Sequence, residues 1–84
     1  MEYKILVKVY YPIIEEQLEL YIPTTKTVKY ILKLLQKAIQ ENVCETYQLN
    51  PNAILANKHT GIRYEHNKLI IDTDIRNGSK LIII

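Results

Sequence analysis

The side chains that could support catalysis or bind a metal are few, and their spacing suits neither task. His59 and His66 lie seven residues apart with turn residues between them, and Cys44 is the single cysteine. A metal site needs several ligands at suitable spacing, and nucleophilic catalysis needs a base beside its nucleophile. The sequence pattern places no carboxylate or cysteine to complete either arrangement. We therefore expect no catalytic residue, no metal site and no cofactor.

Length and composition also argue against an enzyme. The chain has 84 residues, enough for one small domain spanning 1–84. A chain of this size buries only about 60% of the surface that its unfolded form exposes, so a deep catalytic cleft would compete with the core for residues. The two glycines, Gly61 and Gly78, cannot form a glycine-rich phosphate loop. A lone cysteine excludes an internal disulfide and fits a reducing compartment.

Charge and hydropathy limit the class of partner. Eleven basic and nine acidic residues give a net charge of +2, which is too small to predict nucleic-acid binding. Residues 1–9 alternate charged and apolar side chains, unlike a signal peptide. No window approaches the roughly 18 consecutive apolar residues of a membrane span. We expect a cytoplasmic protein whose partners are proteins.

Periodicity predicts a hairpin followed by a helix. Residues 3–9 alternate apolar and mostly charged side chains, which is typical of a half-buried strand. The alternation breaks around Pro12 and resumes at 18–22, so two antiparallel strands are expected. Thr25 or Thr27 can cap the helix that follows. The helix has one apolar stripe, formed by Val28, Ile31, Leu32, Leu35, Ala38 and Ile39.

The second half of the chain predicts further strands. A short third strand is expected over 53–58 and a brief fourth over 62–64. Asn77 and Gly78 form a tight-turn dipeptide, and a final strand over 80–84 follows it. The predicted order is therefore β-β-α-β-β-β.

This order resembles the ubiquitin-like β-grasp fold. The most specific similarity is the segment 69–84, LIIDTDIRNGSKLIII, in which a hydrophobic-x-x-Asp-x-x-Ile unit of Leu69, Asp72 and Ile75 leads through a polar turn into the closing strand. The hairpin and the helix entry after Pro23 fit the same pattern, so the resemblance covers nearly the whole chain. It implies an α+β fold in which a mixed sheet of four to five strands packs on one central helix, with the first and last strands side by side.

Within this superfamily the chain is most similar to the small bacterial YukD/EsaB ubiquitin-like proteins. The similarity lies in length, in general pattern and in a sequence that stops at the last strand. Those proteins belong to type VII secretion systems of Gram-positive bacteria. The resemblance implies an accessory cytosolic component of such a system, with secretion components among its protein partners.

The last residues differ from those of ubiquitin-like modifiers. Modifiers and sulfur carriers use a flexible tail ending in Gly-Gly, because activation needs an unhindered carboxylate threaded into an active site. This sequence ends in Ile82, Ile83 and Ile84, so we do not expect a conjugated modifier. Two alternatives stay open: a small non-catalytic subunit of a multicomponent enzyme, and a sulfur-carrier-like protein truncated from a longer precursor.

Strand alternation predicts an interaction face on the side of the sheet away from the helix. Even-numbered side chains of the first and last strands are expected there, and Leu55 is expected to join them. The predicted face is one apolar patch edged by lysines, made of Leu6, Leu55, Ile82 and Ile84 with Lys4, Lys8 and Lys80 around it. Contiguous exposed apolar area usually marks an interaction surface. We predict a protein partner on this face, with a homodimer as the alternative occupant.

A basic stripe on the helix is the second candidate surface. Lys29, Lys33 and Lys37 follow one another at four-residue spacing on the side opposite the apolar stripe. Such a stripe can contact an acidic partner, but it is more often a solvated helix face. The small net charge argues against a nucleic-acid backbone as its ligand.

Overall fold

Residues 3–84, which the computed structural model describes, form a mixed four-stranded sheet with one helix packed across it. The elements are β1 (Lys4–Tyr11), β2 (Glu16–Pro23), α1 (Val28–Asn42), β3 (Leu55–Asn57) and β4 (Lys80–Ile83), with 3₁₀ turns at Pro12–Ile14 and Ile70–Asp72. The strand order is β2-β1-β4-β3, with β1 and β4 parallel and the other two pairs antiparallel. The predicted α+β class and the adjacency of the first and last strands are confirmed.

The first hairpin is longer than the alternation predicts. β1 continues through Tyr10 and Tyr11, and the turn is confined to Pro12–Ile14 and Glu15. Glu15 has a left-handed backbone with φ 52°, and its N–H donates to the Pro12 carbonyl at 3.1 Å. The Tyr11 side chain is buried in the core. Its burial extends the strand where an irregular loop was predicted.

Helix α1 begins at a threonine cap. Thr27 Oγ1 accepts a hydrogen bond from the Tyr30 backbone N–H at 3.2 Å, which satisfies one of the N–H groups left free at a helix start. Five side chains of the predicted apolar stripe are buried, namely Val28, Ile31, Leu32, Leu35 and Ile39. Full burial of such a side chain contributes roughly 1.5–3 kcal/mol, so the apolar face holds the helix on the sheet.

The second half of the chain has fewer strand residues than predicted. Segment 62–64 forms a single bridge to β3 instead of a strand. Two hydrogen bonds make this bridge, from Asn57 N–H to the Ile62 carbonyl at 2.8 Å and from Tyr64 N–H to the Leu55 carbonyl at 2.9 Å. The Tyr64 side chain is buried in the core, and the chain then turns away from β3. Pairing of segment 62–64 with β3 is therefore limited to this one bridge.

Candidate interaction surfaces

Alternate residues of β1 and β4 form the side of the sheet away from α1, which we call the outer face. Leu6, Lys8 and Tyr10 lie on it, because Val7 and Val9 between them are buried in the core that α1 covers. The outward placement predicted for Leu6 and Lys8 is confirmed. Tyr10 joins them because β1 runs further than expected.

β4 contributes to the outer face in the same alternating way. Leu81 and Ile83 are buried in the core, so Lys80 and Ile82 point to the opposite side. Ile82 is half-buried, and Ile84 is 52% exposed. The outward placement of these two isoleucines agrees with the prediction, while their role in binding stays a prediction.

Leu55 does not lie on the outer face, so its predicted placement was wrong. Its side chain is fully buried in the core. β3 pairs antiparallel with β4 so that Leu55 lies opposite Ile83, and residues directly opposite in a ladder point to the same side. Since Ile83 points into the core, Leu55 does too. Ala56, which lies opposite Ile82, takes the outward position of β3.

The apolar residues of the outer face form two ends, not the single patch that was predicted. Lys8 lies opposite Lys80 in the parallel register, and Tyr10 lies opposite Ile82. Leu6 and Ile82 are therefore four register positions apart, or about 13 Å along the strands. Lys8 and Lys80 lie in the middle of the outer face, between the two apolar ends, whereas the prediction placed them at its edge.

Each apolar end combines an aromatic and an aliphatic side chain. At one end Leu6 lies opposite Tyr21 of β2, whose side chain is 64% exposed. At the other end Tyr10 lies beside Ile82, and Ile84 follows directly after the end of β4. Tyr21 and Ile84 are the exposed side chains of the two ends, while Leu6, Tyr10 and Ile82 are half-buried.

A shallow depression of about 110 Å³ lies in the middle of the outer face. Its lining residues include three lysines, Lys8, Lys58 and Lys80. Lys58 Nζ lies 5.2 Å from the centroid of the Tyr10 ring, a cation–π distance. Lys8 Nζ lies 3.8 Å from a Glu19 carboxylate oxygen on the β2 side. The depression is positively charged and suits an acidic group.

The predicted basic stripe on α1 divides into two environments. Lys33 and Lys37 line a groove of about 600 Å³ between α1 and the segment 49–51. Lys29 is exposed and does not line the groove. The three lysines predicted as one surface are therefore not equivalent.

A buried glutamine holds the segment after α1 in place. Gln36 is 3% exposed. Its Oε1 accepts hydrogen bonds from the Tyr47 hydroxyl at 2.6 Å and the Asn50 N–H at 2.7 Å, and its Nε2 donates to the Asn50 carbonyl at 3.0 Å. The hydroxyls of Tyr47 and Tyr11 are 2.7 Å apart. Burial, followed by this hydrogen bond to Tyr11, raises the pKa of Tyr47 above its ordinary value.

No protein-family model and no curated protein matches this chain. Solved structures are similar to it over 96% of its length. One comes from work on molecular mimicry of SUMO in DNA repair, with a TM-score of 0.79, 17% identity and 90% of that chain covered. Another is the ubiquitin-like domain of an Arabidopsis thaliana protein, with a TM-score of 0.69, 17% identity and 76% covered. A third, an N-terminal ubiquitin-like domain, has a TM-score of 0.73, 18% identity and 73% covered. The chain has a ubiquitin-like β-grasp fold.

Three side chains at these surfaces were missed from the sequence. Tyr10 continues the even-numbered alternation after Lys8, a signal that the nearby Pro12 obscured. Lys58 reaches the outer face through the pairing of β3, and Gln36 sits between the apolar and basic stripes of the helix. No local pattern identifies these last two residues, because their partners lie elsewhere in the chain.

Two of the side chains considered for catalysis, those of His66 and Cys44, make polar contacts within the domain. His66 Nε2 lies 2.8 Å from the Ala53 carbonyl oxygen, and Cys44 Sγ lies 3.3 Å from the Thr46 hydroxyl. Within residues 3–84 no group of three or more His, Cys, Asp or Glu side chains is placed to hold a metal ion. No helix in that range is long and apolar enough to cross a membrane. That the chain is not an enzyme stays a prediction.

Proposed function

We propose that this chain is a non-enzymatic interaction module that binds a partner protein through its outer face. One observation supports the proposal above all: two apolar ends and a positively charged middle lie on the side of the sheet that α1 leaves open. Ubiquitin-like domains generally mediate protein interactions. Apolar ends supply buried area on binding, and charges between them set orientation and partner choice.

The outer face also defines the chemistry of the partner. Lys8 and Lys80 occupy adjacent strands at one register position, so an acidic group bound between them would offset their mutual repulsion. Leu6 and Ile82 lie on either side of this pair. A partner surface complementary to the outer face has an acidic group between two apolar side chains that are about 13 Å apart.

A narrower proposal concerns the cellular system. We propose that the module is an accessory cytosolic component of a type VII secretion system in a Gram-positive bacterium. The resemblance to the YukD/EsaB proteins in domain size and in the order of strands and helix supports this assignment. It makes a secretion component the expected partner.

Affinity purification from the native host tests both proposals. The bait is the full chain, compared with Leu6→Asp and Ile84→Asp, which place a charge at each apolar end. Ile71→Asp is the matched control, because Ile71 is 56% exposed, much like Ile84 at 52%, and lies outside the outer face. We expect a secretion component with the wild-type and Ile71→Asp baits and its loss with the other two.

The outcomes separate the two proposals. If all four baits recover the same partner equally, the outer face is not the binding site. If the outer-face variants lose a partner that belongs to an oxygenase or synthase, the outer face is the binding site and the secretion assignment is wrong. That second result would make the chain a small subunit of a multicomponent enzyme.

A homodimer through the outer face is the other occupant to be tested. Sedimentation equilibrium of the wild-type chain and of Ile84→Asp measures it directly. We expect a monomer for both, since the proposed occupant is a different protein. A wild-type dimer that dissociates on the Ile84→Asp change would show that the face is covered by a second copy.

A further inference from the structure

A groove beside the helix has the composition of a peptide-binding site. It has a volume of about 600 Å³ and shares no lining residue with the depression on the outer face. Tyr30, Leu34 and Leu49 line it and are 46%, 37% and 42% exposed. Large apolar side chains exposed in a concave surface are typical of ligand sites, and this volume lies in their usual range.

One wall of the groove is fixed before any ligand binds. The backbone N–H and carbonyl of Asn50 both hydrogen-bond to the buried Gln36 side chain, at 2.7 and 3.0 Å. One turn further along α1, Gln40 Nε2 donates to the Tyr47 carbonyl at 2.9 Å. A wall that is already ordered lowers the entropy cost of binding. The segment 49–51 therefore acts as a rigid side of the groove.

The groove is positively charged. Lys33 and Lys37 line it one helical turn apart, and Lys26 Nζ lies 5.2 Å from the centroid of the Tyr30 ring. Within residues 3–84 no carboxylate forms an ion pair with Lys33 or Lys37, and no acidic side chain is among the lining residues. Like charges at i and i+4 destabilise a helix. An acidic ligand would remove this repulsion.

We propose that this groove binds a short peptide segment of a partner protein in which acidic residues flank large apolar side chains. The apolar side chains fill the space between Leu34 and Leu49, and the carboxylates pair with Lys33 and Lys37. The concave, mostly apolar lining distinguishes this ligand from nucleic acid, which needs a continuous basic track, and from a flat lipid surface. The groove and the outer face are then two separate binding sites on one small domain.

Fluorescence anisotropy with the full chain tests the ligand chemistry. The probe is a fluorescein-labelled peptide in which glutamates flank two leucines. One control peptide has lysines in place of the glutamates, and a second has serines in place of the leucines. We expect a Kd of roughly 10–100 μM for the probe and at least about tenfold weaker binding of both controls. A probe Kd weaker than about 1 mM would overturn the proposal.

Variants of the chain test the location. Lys33→Glu and Leu49→Ser change exposed groove residues, and each is expected to weaken probe binding about tenfold while the circular dichroism spectrum stays unchanged. Lys68→Glu is the matched control, because it makes the same charge change at an exposed position outside the groove. Equal weakening by Lys33→Glu and Lys68→Glu would show that binding depends only on net charge and would overturn the groove assignment.

Two further experiments distinguish binding in the groove from binding at the outer face and from binding to a membrane. Ile84→Asp on the outer face is expected to keep the wild-type Kd for the probe, so this proposal and the outer-face proposal can fail independently. Co-sedimentation with vesicles of phosphatidylserine and phosphatidylcholine tests a membrane as the ligand. Vesicle binding that the acidic peptide does not displace, and that Lys33→Glu abolishes, would assign the groove to lipid and overturn the proposal.

Discussion

Lys8 and Lys80 lie directly opposite each other on the parallel strands β1 and β4, on the side of the sheet that the helix leaves open. Adjacent strands are about 4.8 Å apart, and both residues line the depression on the outer face. Glu19 approaches Lys8 to 3.8 Å from the β2 side. Like charges directly across strands destabilise a sheet. An acidic group of the proposed partner would offset this repulsion.

Replacing Lys80 by glutamate should stabilise the folded chain and weaken partner binding. A carboxylate at this position would face Lys8, and opposite charges across adjacent strands contribute roughly 0.2–1 kcal/mol. Urea titration measures the free energy of unfolding. Lys68→Glu serves as the control for net charge, because Lys68 is exposed and outside the sheet. A lower stability for Lys80→Glu than for Lys68→Glu would contradict this prediction.

Leu55 and Leu6 should respond very differently to truncation. Leu55→Ala removes a fully buried core side chain, and we expect a loss of about 2–5 kcal/mol in the free energy of unfolding. Leu6→Ala acts on a half-buried residue of the outer face, and a loss below about 1 kcal/mol is expected. Chemical denaturation of both variants measures the difference. Equal losses would mean that the two leucines do not lie on opposite sides of the sheet.

Gln36→Ala should destabilise the chain although it removes a polar side chain from a helix. The Asn50 N–H loses its partner, while the Tyr47 hydroxyl keeps its contact with Tyr11 and the Asn50 carbonyl keeps the hydrogen bond from the Ala53 N–H. We expect the loss of the three Gln36 hydrogen bonds to cost about 1–3 kcal/mol. Gln48→Ala, at an exposed position, is the matched control and should stay within about 0.5 kcal/mol of the wild type. Hydrogen exchange at the Asn50 N–H should speed up in Gln36→Ala alone.

Stability should fall at alkaline pH because of Tyr64. Burial, and then the 2.6 Å hydrogen bond that its hydroxyl donates to Asp74, raise the pKa of Tyr64 from 10.0 to about 12. The unfolded chain therefore loses this proton first. The stabilisation that Tyr64 adds to the free energy of unfolding is fully present below pH 10 and is lost as the pH rises through about 12.

Denaturation midpoints between pH 9 and 12 test this contribution. Tyr64→Phe lacks the titrating group, so its midpoint should decline less steeply than that of the wild type over this window. Tyr21→Phe removes an exposed hydroxyl and leaves the Tyr64–Asp74 hydrogen bond intact, so it controls for the loss of a tyrosine. Parallel pH profiles for the wild type and Tyr64→Phe would disprove the assignment.

Much of the secondary structure could be predicted because its causes are local. The Thr27 cap acts within one turn of the chain, and alternating polarity in β1 determines which of its side chains are buried. Helix α1 likewise follows from apolar residues at helical spacing. Segment 62–64 was wrongly predicted as a strand, because the pattern of three residues cannot distinguish a strand from a single bridge.

The sequence by itself determined the first hairpin, the helix after it, the closing strand, the buried stripe of α1 and the inward side of β1. Only the tertiary structure decided which side of the sheet Leu55 occupies. Residues 53–56 are apolar at both even and odd positions, so alternation cannot assign the side. Pairing with Ile83 fixes it. The tertiary structure alone also decided the meeting of Lys8 with Lys80 and the wall that Gln36 holds beside the helix. These relationships depend on register and on hydrogen bonds between distant segments, which no local pattern of residues specifies.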